Sequence, residues 1–280
     1  MFNINKNNNS RFRRLIILSF ISFSSLLIYA GNKSDTSAAG ETSLYTFIRI
    51  DYFGLNDEYE TPYYVFKGKI DGPVMMLDGG IHGDEIASYM ACDSIVKYIK
   101  VIKGTLIVIP KTNIKACELN TRYINFDFNH AFPGDLKSDQ YEYRLAYEFM
   151  WLVDSVKPDL IINLHEARNK WNEKAKFDSE GAYGQIVISC IQPFEGMLLR
   201  SVDKMNEKIP AGDFQFHPHY YSFRDHSSLD NFVAKFNITS YTVESYRGFN
   251  IDDRVKLQLT AALTFMEEAG LEYSYPEVKF

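Results

Sequence analysis

Two short apolar runs constrain this chain more than any other feature. "GTLIVIP" (104–110) and "PDLIINLHEA" (158–167) are nearly continuous in branched aliphatic residues and lack the alternation of a strand with one wet face. Such runs suit strands buried on both faces, inside a sheet covered by helices. The intervening stretches agree. "EIASYMACDSIVKYIK" (85–100), "YEYRLAYEFMWLVDSV" (141–156) and "RVKLQLTAALTFMEEAG" (254–270) carry apolar residues at helical spacing. The second stops ahead of Pro158 and the third at Gly270, a residue that tolerates the left-handed backbone closing a helix. "YYVFKGKI" (63–70), "PVMMLDGG" (73–80), "YGQIVISC" (183–190) and "ITSYTVES" (238–245) read as further strands, with a turn expected at Gly72-Pro73 between the first two. The alternation predicts an α/β fold: a mixed, largely parallel central sheet with helices on both faces.

The first residues stand apart from that pattern. Residues 1–14 are polar and basic (Lys6, Arg11, Arg13, Arg14), and "LIILSFISFSSLLIYA" (15–30) follows without a charge. A basic start, a short apolar run and a small residue at its end read as a secretory signal peptide over 1–30. The run is shorter than the ~20 residues of a spanning helix; left uncleaved, it would anchor the chain to a membrane. No Cys follows it, which speaks against lipoprotein attachment. Residues 31–43 read as a small, polar linker, and 44–280 as one domain without internal repeats. The expected location is therefore outside the cytoplasm, periplasmic or extracellular in a bacterium. A net charge of −6 gives no reason to expect nucleic acid binding. Aromatic residues make up 15% of the chain, enough bulk for a large core without disulfides. Cys92, Cys117 and Cys190 are odd in number, so at least one is unpaired within the chain, and buried small apolar residues are the simplest reading.

In such sheets ligands gather beyond the carboxyl ends of the strands. "LDGGIHGDE" follows a predicted strand and opens a predicted helix, so His82 and Glu85, three apart, can aim at one point there. His165 ends the run "PDLIINLH" and projects from another strand end. Two imidazoles and a carboxylate suit zinc, one per chain, with a fourth position open for water. The same set fits non-haem Fe(II), but that chemistry usually sits in a β barrel, which the α/β alternation disfavours. Glu244 ends the run "ITSYTVE" and is expected as general base, then as proton donor to a leaving amine. "TRYINFDFNHAFPG" adds Arg122, to polarise a carbonyl, and Asn129 and His130 in a loop suited to substrate contact. Asp84 reads equally as support for a metal ligand or as a helix cap. His217, His219 and His226 fall in "FQFHPHYYSFRDHSSLDNF", read as a substrate-facing loop in which Tyr220 or Tyr221 could touch substrate.

Taken together, these stretches resemble the zinc carboxypeptidase superfamily, and within it the succinylglutamate desuccinylase/aspartoacylase-like deacylases. The resemblance covers most of residues 63–250 and rests on "VMMLDGGIHGDE", "GTLIVIPKTNIKACELNTRYINFDFNHAFPG", "PDLIINLHEA" and "TVES". It implies His82, Glu85 and His165 as zinc ligands, Glu244 as the catalytic glutamate, Arg122 as the carbonyl-polarising arginine and Asn129 as the asparagine of the family's Asn-Arg pair. The chain departs from the family at the next position, where His130 replaces the arginine that grips a substrate carboxylate. An imidazole is shorter and makes no bidentate fork. Arg168 and Arg247 are then the candidate cations for that task. The expected function is an exported zinc-dependent hydrolase cleaving an amide bond in a small acyl amide or a peptide. The alternative is a non-catalytic binding protein on the same fold, which His130 favours and the intact ligand set opposes.

Overall fold

The apolar runs form the middle of one sheet. A computed structural model describes residues 47–171, 183–194, 196–221 and 228–280. The expected signal peptide and linker, and His226, lie outside the described residues. In chain order the elements are β1 (Phe47–Phe53), β2 (Thr61–Lys67), β3 (Ile70–Asp78), α1 (Ile86–Tyr98), β4 (Lys100–Ile109), α2 (Ile114–Glu118), a 3₁₀ turn (Phe128–His130), α3 (Tyr141–Val156), β5 (Leu160–Ala167), β6 (Ile186–Ser189), α4 (Gly196–Lys208), β7 (His217–Tyr220), α5 (Leu229–Ala234), β8 (Thr239–Tyr246), α6 (Ile251–Glu268) and β9 (Glu272–Ser274).

The described strands lie in the order β1-β2-β4-β3-β5-β8-β6-β7, with β9 added along β4. The central four, β4, β3, β5 and β8, run parallel to one another. The β1/β2, β2/β4 and β6/β8 pairs are antiparallel. Every residue of β5 is buried, as expected of a strand with helices on both sides. Leu77, Val108, Ile162, Leu164 and Val243 form one core with Cys92 and Ile95 of α1, Val202 of α4 and Leu257 and Phe265 of α6. Met76, Ile107 and Ile161 alternate with that set and are buried on the opposite face. There α3 packs through Phe149, whose ring centroid is 6.0 Å from Phe53 and 5.8 Å from Phe132. The three cysteines are all free, Cys92 and Cys117 buried.

Two local expectations are corrected. No turn separates strands at Gly72-Pro73, because β3 begins at Ile70 and runs through both residues. Proline cannot donate to a ladder, and the β3/β4 pairing shifts register between Ile70 and Val74, which is where Pro73 is accommodated. The chain leaves β2 at Gly68 instead, and β4 inserts between β2 and β3. "HPHY" is likewise not loop: His217–Tyr220 is a strand in parallel register with β6. Its composition is poor for a strand, and pairing with a neighbour makes it one.

Candidate metal centre and active site

Strand β3 ends at Asp78, and the chain must turn at once to bring a side chain over the sheet edge. Gly80 has φ +67, and a Cβ there would lie 2.7 Å from the Cys117 sulfur. At Gly83 a Cβ would meet the Ala116 carbonyl carbon at 2.0 Å, so only glycine lets the turn lie against α2. The turn is tied down by the Asn113 N–H to the Gly80 carbonyl at 2.9 Å and the Gly83 N–H to the Arg122 carbonyl at 3.3 Å. It delivers His82, and then Glu85 as the N-cap residue of α1. His165 comes from β5 and alternates with Leu164, on the face away from the α1/α6 layer. Glu244 lies beside it, paired in register across the β5/β8 ladder.

His82, Glu85 and His165 are all buried and converge. Nδ1 of His82 is 2.7 Å from Oε1 of Glu85, and Nδ1 of His165 is 2.9 Å from Oε2. The two Nδ1 atoms are 3.2 Å apart. Two nitrogens bound at the usual distance to a tetrahedral zinc would be separated by about 3.3 Å, so the donor set fits that ion in kind and its nitrogen pair fits in spacing, while the two N···O distances are those of hydrogen bonds. Nε2 of His82 meets Oδ1 of Asp127 at 3.0 Å, the type of contact that orients a ligating imidazole and leaves its other nitrogen for a metal. The charges respond to one another. Burial alone would lower the pKa of His82, but the Glu85 and Asp127 carboxylates raise it to about 9. Burial would raise that of Glu85, but the two imidazoles hold it well below the usual carboxylate range.

Around this cluster is a cleft of about 470 Å³. Arg122 lies on its wall, its Nε donating to Oδ2 of Asp127 at 3.2 Å and its Nη1 3.5 Å from Oε1 of Glu85. The Arg122–Asn129 loop is shaped by Glu142 of α3, which accepts from the N–H groups of Asn125 at 2.7 Å and Phe126 at 3.3 Å. Asp127 caps the 3₁₀ turn by accepting from the Asn129 N–H at 3.0 Å. Glu244 reaches the same cleft with its Oε2 buried and without a hydrogen-bond partner. Burial, and then the negative charge of Glu85, push its pKa well above the usual carboxylate range.

Of the residues singled out in the sequence, His82, Glu85, Arg122, Asn129, His130, Arg168 and Glu244 line the cleft, with His165 buried at its base. Arg168 is exposed there and has no ion pair among the described residues. Tyr221 is not on the wall; it meets Tyr183, which is, at 6.0 Å between ring centroids. His217 packs on Trp171, ring centroids 4.7 Å apart, and neither it nor His219 lines the cleft. Asp84 neither supports a ligand nor caps α1: it pairs with Arg247, Nη1 to Oδ2 at 2.9 Å, while Nη2 takes the Asp84 carbonyl at 2.6 Å. Arg247 is thereby occupied and is not the spare cation. Sequence reasoning missed Asp127 and Glu166, both on the cleft wall. Asp127 stands two before Asn129 in a stretch already singled out, and Glu166 directly follows His165. Their position was visible, but not their partners.

Residues 71–172 match the family described as Succinylglutamate desuccinylase/Aspartoacylase catalytic domain. That span contains His82, Glu85, Arg122 and His165, but not Glu244. Over 100 residues, 34% of this chain and 29% of the relative, the sequence is 30% identical to N-alpha-acetyl-L-2,4-diaminobutyric acid deacetylase of Halomonas elongata. The fold is similar to that of Helicobacter pylori Csd4, a D,L-carboxypeptidase, with a TM-score of 0.67 and 18% identity over 74% of this chain and 54% of that one. It is also similar to a succinylglutamate desuccinylase/aspartoacylase from Rhodobacter sphaeroides, with a TM-score of 0.58 and 21% identity over 82% and 68%. The chain thus spans under a third of the deacetylase and about half of Csd4. The family match thus lies across the glycine turn and His165, and the fold around them is similar to that of these carboxypeptidase and succinylglutamate desuccinylase/aspartoacylase structures.

Proposed function

We propose that the protein is an exported, zinc-dependent hydrolase that cleaves an amide bond, of deacylase or carboxypeptidase type. One observation carries the reading: the buried His82–Glu85–His165 cluster shares a cleft with Arg122 and with a Glu244 oxygen that has no partner. His82, Glu85 and His165 would hold the zinc, which when bound would supply Lewis acidity towards the carbonyl and the attacking water. Glu244 takes the proton of the attacking water and returns it to the leaving amine, a task suited to a carboxylate with raised proton affinity. Arg122, steadied by Asp127, faces the carbonyl oxygen as it gains negative charge.

Asn129, His130 and Arg168 bound the substrate side of the cleft. Tyr221 stands off the cleft wall, against Tyr183. Because His130 lacks the fork of the family arginine, Arg168 is the residue assigned to any anionic end of the substrate. Two substrate classes fit this reading. One is a small N-acyl amide, after the deacetylase relative. The other is a peptide, after Csd4, whose structures include tripeptide-bound and mDAP-bound forms. Export rests on the basic-apolar pattern of residues 1–30, and N-terminal sequencing of the protein recovered from its host tests it. Among the described residues no helix is long and apolar enough to cross a membrane.

The deciding experiment is the zinc content of purified residues 31–280 beside a His165→Ala variant, followed by a hydrolysis screen of acyl amino acids and wall peptides. About one zinc per chain, lost in the variant, is expected. Absence of zinc in both after zinc is supplied would overturn the hydrolase and leave a binding protein on the same fold.

A further inference from the structure

Glu166 follows His165, is buried, and has a role that the reaction leaves unexplained. The first N–H groups of a helix have no partner within the helix, and the N-cap side chain normally takes one of them. In α1 the N-cap residue is Glu85, and its carboxylate makes no cap hydrogen bond because it is turned to the two histidines. The cap comes from another strand. The Ala87 N–H donates to Oε2 of Glu166 at 2.8 Å. In return the Glu166 N–H donates to Oε2 of Glu85 at 3.0 Å. This exchange has the logic of a capping box divided between two segments. It links the helix that carries Glu85 to the strand that carries His165, next to the point where both side chains converge.

The carboxylate of Glu166 is itself held. Arg254 of α6 grips it as a fork, Nε to Oε1 at 2.6 Å and Nη2 to Oε2 at 2.7 Å. One turn along α6, Gln258 donates to the His165 carbonyl at 2.6 Å and to the Ser245 hydroxyl at 2.9 Å, beside Glu244. We infer that Glu166 is a positioning residue for the metal cluster, a cap supplied from β5 that sets Glu85 against His165 while Glu85 is committed to ligation. The inference rests on the reading that His82, Glu85 and His165 hold zinc.

A single substitution would leave the buried Glu166 or the partly buried Arg254 as an unpaired charge, so loss of folding would hide the effect. The test therefore uses Glu166→Met/Arg254→Met, which removes both charges, and Glu166→Asp, which keeps them but withdraws the carboxylate from Ala87. Zinc affinity is measured by competition with a chromophoric chelator, alongside the visible spectrum of the cobalt(II)-loaded protein and the thermal midpoint. Partners that orient ligands typically contribute about 10–100-fold in affinity. A loss in that range is expected in the double variant, with a displaced cobalt spectrum and a thermal midpoint close to that of the parent. Glu166→Asp is expected to show a smaller loss of the same kind, and it decides the question if the double variant does not fold. Unchanged affinity and spectrum in a folded variant would overturn the inference and leave Glu166 a residue of the fold alone. A parent protein that binds no zinc would instead overturn the metal reading, and the inference with it.

Discussion

A buried carboxylate oxygen without a partner is costly, and among the described residues Asp78, Asp84 and Glu244 have one. Glu244 is one, and its place on the cleft wall gives the cost a purpose. Glu244→Gln is expected to lower kcat by about 10²–10⁴ while zinc content stays at the parental value, in contrast to His165→Ala; metal analysis beside steady-state kinetics checks both. Asp78 is another, with both oxygens unpartnered. Burial first, and then the nearby charge of Asp230, raise its pKa well above the usual range. A folded-state pKa above the unfolded value contributes stability fully present below the unfolded pKa of about 3.9 and lost as pH rises towards the folded value. Asp78→Asn is therefore expected to be nearly neutral at pH 4 and stabilising at pH 7, by at least about 1 kcal/mol or 2–4 °C in thermal midpoint. Thermal scans across that pH range decide it, and a gain confined to low pH would contradict it. His82, Glu85, His165 and Glu244 were legible as candidates because each ends an apolar run or lies in a glycine turn, whereas Arg122 stood out only as a cation in a polar loop. Asp127 and Glu166 were not legible, because their significance lies in what they touch.

At the scale of elements, the turn between β3 and α1 carries the site, and its glycines fit it to α2. Gly83→Ala would drive a methyl into the Ala116 backbone. Overpacking of that kind costs about 1–3 kcal/mol, and the displaced turn takes His82 and Glu85 with it. The expected outcome is reduced zinc occupancy together with a lower thermal midpoint, measured by metal analysis and calorimetry. Helix α3 was legible at its C-terminal end because Pro158 stops it, and Lys157 adopts φ 48 at its C-cap. Strand β7 was not legible, since two histidines and a proline give no alternation to read. Strand β3 was read too short, because Pro73 signals a turn locally but meets a register shift in the sheet.

For the whole molecule, a metal held by His82, Glu85 and His165 would join the β3 turn to the end of β5 and couple ligand binding to folding. Any ligand bound only by the folded state stabilises it by mass action, by about 2.7 kcal/mol at 100 times the dissociation constant. For a domain of this size that corresponds to about 5–10 °C. Chelation is expected to lower the thermal midpoint by that amount and zinc to restore it; a midpoint insensitive to chelator and zinc would count against a resident metal. The sequence by itself determined the fold class, the parallel centre of the sheet and the candidates His82, Glu85 and His165 that the structure brings together, because periodicity, glycine turns and strand ends are properties of a few adjacent residues. Only the tertiary structure decided the insertion of β4 between β2 and β3, the pairing of Arg247 with Asp84, and the capping of α1 by Glu166. Those contacts join residues far apart along the chain, 163 positions for Arg247 with Asp84 and 79 for Glu166 with Ala87. Each depends on which surfaces the packed sheet and helices bring together, and local sequence carries no record of that choice.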